Sequence, residues 1–139
     1  MIPRLVIDAS VSGSWCFPDE ASPLTEAVFE EVARVGAVVP TLWLFEMANM
    51  LTIAERRGRI ASDRVEIIRD ALADLPIEMD QARTLRTLPT LARLALDYDL
   101  SAYDAAYLEL ALRTGSRLAT LDMARLKAAA TAEVPLFSV

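Results

Sequence analysis

Histidine is absent from the 139-residue sequence, and cysteine occurs once, at Cys16. These shortages exclude a disulfide framework, a zinc site of imidazole and thiolate ligands, and any catalytic triad that uses histidine. The sequence also has no apolar run near the roughly 20 residues that cross a bilayer, and no signal-peptide pattern at its start. We therefore expect a cytoplasmic protein without membrane contact, whose chemistry uses carboxylate, hydroxyl, amide and guanidinium groups.

Basic residues are also in deficit, because 14 Lys and Arg face 20 Asp and Glu, for a net charge of −6. This balance excludes a general basic surface for nucleic acid, although metal ions can supply positive charge locally in a nuclease. Hydrophobic residues make up 54% of the chain, with only 4 Gly and 7 Pro, which is typical of a packed globule. The length predicts one domain over residues 1–139.

Short apolar runs predict the strands. Leu5-Val6-Ile7 and Ala37-Val38-Val39 are apolar throughout, as in strands buried on both faces of a parallel sheet. Residues 116–121 form a third run, and 77–79 and 136–137 are weaker candidates. Helical patterns alternate with these runs, at about residues 22–35, 41–57, 62–74, 84–98, 102–114 and 123–131. This alternation predicts an α/β fold with right-handed crossovers.

Four carboxylates interrupt apolar sequence. Asp8 and Asp122 directly follow predicted strands, whereas Glu46 and Asp104 lie in apolar helical segments. The segment around Glu46, residues 42–51, is apolar almost all round and predicts a buried helix. Because ligands bind at the carboxyl ends of the strands in open α/β sheets, we expect the four acids to meet in one cleft there.

Each acid also has a structural interpretation. Asp8 and Asp122 are suited to cap the helices that follow them. Asp104 stands three residues after Ser101, which is the spacing of a capping box. Glu46 has the weakest such alternative, since a carboxylate in a buried helix needs a partner. The joint pattern favours a functional cluster over four separate structural roles.

A cluster of four carboxylates requires a cation, because like charges at close range raise one another's pKa. No Lys or Arg lies directly beside any of the four in sequence. Mg²⁺ or Mn²⁺ with oxygen ligands is therefore the expected counter-charge, and such sites support phosphoryl and phosphodiester chemistry. Since the acids repel one another in ion-free protein, Asp8→Asn is expected to leave that protein as stable as wild type or more so.

Four segments carry an ordered pattern: VIDAS at residues 6–10, EMAN at 46–49, LSAYDAAYLELA at 100–111 and LATLD at 118–122. This pattern resembles the motifs of PIN-domain ribonucleases, and most closely those of the VapC-type toxins of bacterial toxin–antitoxin systems. The similarity spans nearly the whole chain, and residues 58–98 contribute least to it.

The resemblance implies a three-layer PIN-like fold, with a central, mainly parallel sheet flanked by helices. It implies cleavage of single-stranded RNA that depends on Mg²⁺ or Mn²⁺, with Asp8, Glu46, Asp104 and Asp122 as the catalytic and metal-binding residues. Asp8 and Asp104 match the direct metal ligands. The resemblance further implies a homodimer and a cognate VapB-like antitoxin.

Three polar positions also match the family and are expected to hold carboxylates or bound waters in place: Ser10, Asn49 and Thr120. One position departs from it, because a basic residue often follows the last aspartate and here Met123 does. Arg125 or Lys127 is the expected substitute for that phosphate contact.

Two other interpretations stay open within the PIN fold. One is an RNA-processing nuclease without an antitoxin, and the other is a binding module without catalysis. An aspartyl-phosphate phosphatase is disfavoured because it needs a second Asp two residues after the first, where Ser10 stands.

Overall fold

A computed structural model describes residues 4–139, which contain one four-stranded sheet. The strands are β1 (Leu5–Ile7), β2 (Ala37–Val39), β3 (Ile77–Met79) and β4 (Arg117–Ala119). The helices are α1 (Ala9–Ser14), α2 (Pro23–Val35), α3 (Thr41–Arg56), α4 (Ser62–Ala73), α5 (Leu88–Asp97), α6 (Ala102–Thr114) and α7 (Met123–Thr131). Within the described residues, no helix combines the length and the apolar character needed to span a bilayer.

The sheet is parallel throughout and has the order β3-β2-β1-β4. The chain therefore moves outward from β1 to β3 and then returns to place β4 on the other side of β1. Because parallel crossovers are right-handed, α1 to α4 cover one face of the sheet and α5 and α6 cover the other. The predicted three-layer α/β arrangement is confirmed, and the reversal leaves a crevice between the carboxyl ends of β1 and β4.

The strength of each strand's sequence signal follows its burial in the sheet. Leu5, Val6 and Ile7 are fully buried at the centre of the sheet, as their unbroken apolar run predicts. The edge strand β3 is largely exposed, which explains its weaker sequence signal. Residues 136–137 add only a single parallel bridge, between Leu118 and Leu136.

Several predicted boundaries shift. The helix predicted over 84–98 begins at Leu88, with Pro89 in its first turn, because Leu85–Thr87 form a 3₁₀ turn first. The run predicted over 116–121 forms a strand only over Arg117–Ala119. The short helix α1, which Asp8 caps as its structural interpretation expects, has no helical pattern of its own in the sequence, since its Gly and Ser content gives little helical signal.

Candidate active site

Asp8 is the most buried acid of the site. It ends β1, is fully buried, and accepts four hydrogen bonds. Its Oδ1 accepts from the Ser10 hydroxyl at 2.5 Å and from the Val11 amide at 3.2 Å. Its Oδ2 accepts from the Thr120 hydroxyl and from Arg125 Nη1, the latter at 2.8 Å. Since an ionised carboxylate has about four lone-pair positions, all of those of Asp8 are in use.

The hydroxyls on Asp8 also join the ends of β1 and β4. The Ser10 Oγ accepts from the Leu121 amide at 2.9 Å, and the Thr120 Oγ1 accepts from the Asp122 amide at 3.0 Å. Ser10 and Thr120 therefore lie against the Asp8 carboxylate. They fix its orientation from two strands.

Arg125 lies at the centre of the acids. In addition to Asp8, its guanidinium donates from Nε to Asp104 Oδ1 at 2.8 Å, and its Nη2 lies 3.8 Å from Glu46 Oε2. Its central carbon lies 4.3 Å from the centre of the Tyr107 ring. Only 10% of the Arg125 side chain is exposed. Three of the four predicted acids thus surround one internal guanidinium, which supplies the counter-charge that the sequence analysis assigned to a metal ion.

The charges and hydrogen bonds of this cluster shift two pKa values. Burial by itself would lower the pKa of Arg125, but the charge of Asp8 and the hydrogen bonds to Asp8 and Asp104 outweigh it and raise that pKa above its ordinary range. Burial, together with donation to Glu46, raises the pKa of Tyr107. Arg125 therefore stays cationic and Tyr107 stays a neutral donor throughout the range of biochemical pH.

Glu46 occupies a different environment from the one predicted. The expectation that α3 is buried all round is wrong, because 65% of Phe45 and 45% of Leu44 are exposed. Only one face of α3 is buried, and Glu46 lies at its boundary with 31% of the side chain exposed. It accepts a hydrogen bond from the Tyr107 hydroxyl, whereas Asn49, one of the residues expected to hold a carboxylate or a water in place, is exposed.

The carboxylates of Asp104 and Asp122 differ in whether they cap a helix. Ser101 caps α6 by accepting from the Asp104 amide at 3.1 Å, so the Asp104 carboxylate is free of that role and pairs with Arg125. The Asp122 carboxylate caps α7 by accepting from the Arg125 amide at 2.9 Å. Among the described residues, the guanidinium has ion pairs with Asp8, Asp104 and Glu46 but none with Asp122.

The donor set fits a hard divalent cation, since carboxylate oxygens are the ligands that Mg²⁺ and Mn²⁺ prefer. The present spacing is that of three carboxylates around a planar guanidinium. Accordingly, no three acidic side chains within residues 4–139 lie close enough together to hold one ion. Asp8, Glu46 and Asp104 supply the right chemistry, with Arg125 between them.

A cleft of about 540 Å³ runs along α3, and Glu46 is the one of the four predicted acids that lines it. Ser10, Glu46 and Asn49 line one part of it, and Arg57 and Arg59 line another. Arg59 is engaged elsewhere, with ion pairs to acidic residues at 2.7 and 3.1 Å. Arg57 is exposed and has no ion pair within the described part of the chain. The cleft thus leads from the Glu46 carboxylate to the exposed guanidinium of Arg57.

The sequence interpretation did not identify Tyr107, nor the contacts that Arg125 makes. Tyr107 lies three residues after Asp104 on α6, so helical spacing places the two on one face. Arg125 lies three residues after Asp122, in the first turn of α7. Both spacings can be seen in the sequence. The direction of the Arg125 side chain cannot, because it depends on how α7 packs against α6.

Residues 5–131 match the PIN domain family, and the chain belongs to that family. It is 29% identical over 119 residues to Ribonuclease VapC3 of Pyrobaculum aerophilum, covering 86% of this chain and 89% of that protein. The crystal structure of PAE2754 from Pyrobaculum aerophilum matches with a TM-score of 0.62 and 22% identity, over 91% of this chain and 79% of that one, which shows the shared fold. The predicted resemblance to VapC-type PIN domains is confirmed.

Proposed function

We propose that the protein is an endoribonuclease that cleaves single-stranded RNA with Mg²⁺ or Mn²⁺, acting in the cytoplasm as the toxin of a type II toxin–antitoxin pair. The observation that carries the proposal is the convergence of Asp8, Glu46 and Asp104 at the crevice between β1 and β4 of a PIN-domain chain. The similarity to a protein named Ribonuclease VapC3 supports RNA as the substrate.

The acids have distinct roles in this proposal. Asp8 and Asp104 hold the metal ion, and Glu46 and Asp122 complete its surroundings or orient the attacking water. When bound, a divalent ion at such a site stabilises negative charge that develops on the phosphate and makes water a stronger nucleophile. Asp122 contributes from the N-terminal cap of α7.

Neutral side chains hold the acids in position. Ser10 and Thr120 fix both oxygens of Asp8, and Tyr107 donates to Glu46. Such outer hydrogen bonds set the orientation of metal ligands. Asn49 lies on the cleft wall, where its amide is available to the substrate.

A cleavage assay tests the proposal. A labelled single-stranded RNA is incubated with purified protein in Mg²⁺, in Mn²⁺ and in excess chelator. We expect internal cleavage with either ion and none with chelator, while Asp8→Asn protein, prepared in the same way, reports contaminating nuclease. Cleavage that persists in chelator, or that the Asp8→Asn preparation shares, contradicts the proposal.

RNA is proposed to follow the cleft along α3, with Arg57 binding a backbone phosphate. Since a helix rises 1.5 Å per residue, Arg57 stands about 16 Å along α3 from Glu46. Arg57→Glu is therefore expected to raise KM about tenfold and to change kcat little, because the lost contact is remote from the chemistry. Arg86→Glu, a charge reversal at an exposed residue lining a different cavity, is the control. Equal effects of the two substitutions contradict this path.

The proposed homodimer has support in exposed leucines near α5. Leu85, Leu88 and Leu96 are 88%, 64% and 75% exposed, and apolar surface of this kind is expected to be covered where two copies of the chain meet. Light scattering at micromolar concentration is expected to give the dimer mass, and a monomer mass contradicts it.

A small protein encoded beside this gene is the expected antitoxin, and it should inhibit cleavage when added at equal concentration.

A PIN module that binds RNA without cleaving it is the second candidate. The observation that favours it is that Arg125 already neutralises part of the acidic cluster. Failure to bind Mn²⁺ and failure to cleave, found together in folded protein, would support this alternative over the nuclease.

A further inference from the structure

The guanidinium of Arg125 occupies the centre of the acidic cluster. Its nitrogens face carboxylates from three separate parts of the chain, at the end of β1, in α3 and in α6. The Tyr107 ring covers one face of the guanidinium, and 90% of the side chain is removed from solvent. Surface ion pairs rarely have such surroundings, whereas a buried cation requires them.

The bonding of Asp8 shows why this position matters. Of its four hydrogen-bond donors, Ser10 Oγ, Val11 N and Thr120 Oγ1 belong to the scaffold that joins α1 and the end of β4 to β1. Arg125 is the only long, flexible side chain among the four. A metal ion needs a lone pair of Asp8, and all of them are in use. Arg125 is the donor that can move away from Asp8 without a change in the backbone at the ends of β1 and β4.

We propose that Arg125 is an internal counter-ion for the acidic cluster, and that a divalent ion binds Asp8 and Asp104 only as the guanidinium withdraws from them. This inference rests on the proposed metal site. Arg125 then keeps the ion-free cluster folded and lowers its apparent affinity for metal, because only the fraction of molecules with the guanidinium displaced can bind the ion.

The first test measures Mn²⁺ binding by titration calorimetry. Arg125→Met keeps the aliphatic bulk of the side chain and removes its charge, so it should bind Mn²⁺ about tenfold or more tightly than wild type. Arg86→Met removes an exposed arginine charge elsewhere and should leave the affinity unchanged. Equal affinities of wild type and Arg125→Met would show that the metal site exists and that Arg125 does not compete for it.

The second test uses wild-type protein and so does not depend on how the variant folds. The Nε–H group of Arg125 gives a nitrogen–proton resonance, assigned by its loss in Arg125→Lys. Adding Mg²⁺ should move this resonance towards the position of free arginine as the bond to Asp104 breaks. An unchanged resonance in protein that binds Mg²⁺ overturns the proposal. If neither wild type nor Arg125→Met binds Mn²⁺, the metal site itself is wrong, and this inference is wrong with it.

Discussion

Asp8→Asn is expected to abolish metal-dependent cleavage and to lower the free energy of unfolding by about 3 kcal/mol, as is common when one partner of a buried ion pair is removed. Asp8 is fully buried and bonded to Arg125, so the substitution deprives a buried guanidinium of one of its two carboxylate partners at 2.8 Å. The new amide also places N–H donors where the site already supplies donors. Urea unfolding in chelator measures the stability change.

This result reverses the expectation from charge repulsion alone, by which ion-free Asp8→Asn protein would be as stable as wild type or more so. Repulsion dominates only where no cation is present, and Arg125 supplies one. Asp97→Asn, at a half-exposed helix end, is the control and should change stability by less than about 0.5 kcal/mol. Unchanged stability of Asp8→Asn would show that the Arg125 pair contributes nothing.

Asp104→Asn is expected to lower cleavage at least about 100-fold, the size of loss seen when one preorganised electrostatic group is removed from an active site. A metal ligand needs negative charge, which asparagine lacks. A capping role needs only an acceptor, and in any case Ser101 caps α6. The helix therefore stays intact, and the helical circular dichroism should match that of wild type.

Asp99→Asn is the matched control for Asp104→Asn. Asp99 has a positive φ of 53°, a conformation that asparagine adopts readily, so the change removes a charge without backbone strain. Cleavage by Asp99→Asn should equal that of wild type. If Asp104→Asn cleaves at the wild-type rate in saturating Mg²⁺, Asp104 is not a metal ligand and the proposed metal site is wrong.

The strand ends were predictable because a parallel sheet forces its carboxyl ends to one edge. Leu5-Val6-Ile7 leads directly to Asp8, so periodicity alone placed this acid at the end of β1. The strand before Asp122 ends earlier than predicted, at Ala119, and Asp122 caps the helix that follows. The exposure of Phe45 was not predictable in this way. An apolar pattern all round a helix shows that a face can be buried, but packing decides how many faces are.

The counter-charge was missed for a related reason. In sequence Arg125 is near only Asp122, whose carboxylate bonds the backbone amide of Arg125 and not its guanidinium. Its partners Asp8 and Asp104 are 117 and 21 residues away. Long side chains reach across elements, and that reach is set by tertiary packing rather than by local pattern.

One titration tests the central claim, that an ion held by Asp8 and Asp104 makes the protein a ribonuclease. Mn²⁺ is added stepwise to metal-free protein, and binding and the rate of RNA cleavage are measured at each step in wild type and in Asp8→Asn. The account predicts that cleavage rises in proportion to the bound ion in wild type, and that Asp8→Asn shows neither binding nor cleavage. Cleavage at zero occupancy, or full binding and cleavage in Asp8→Asn, would contradict it.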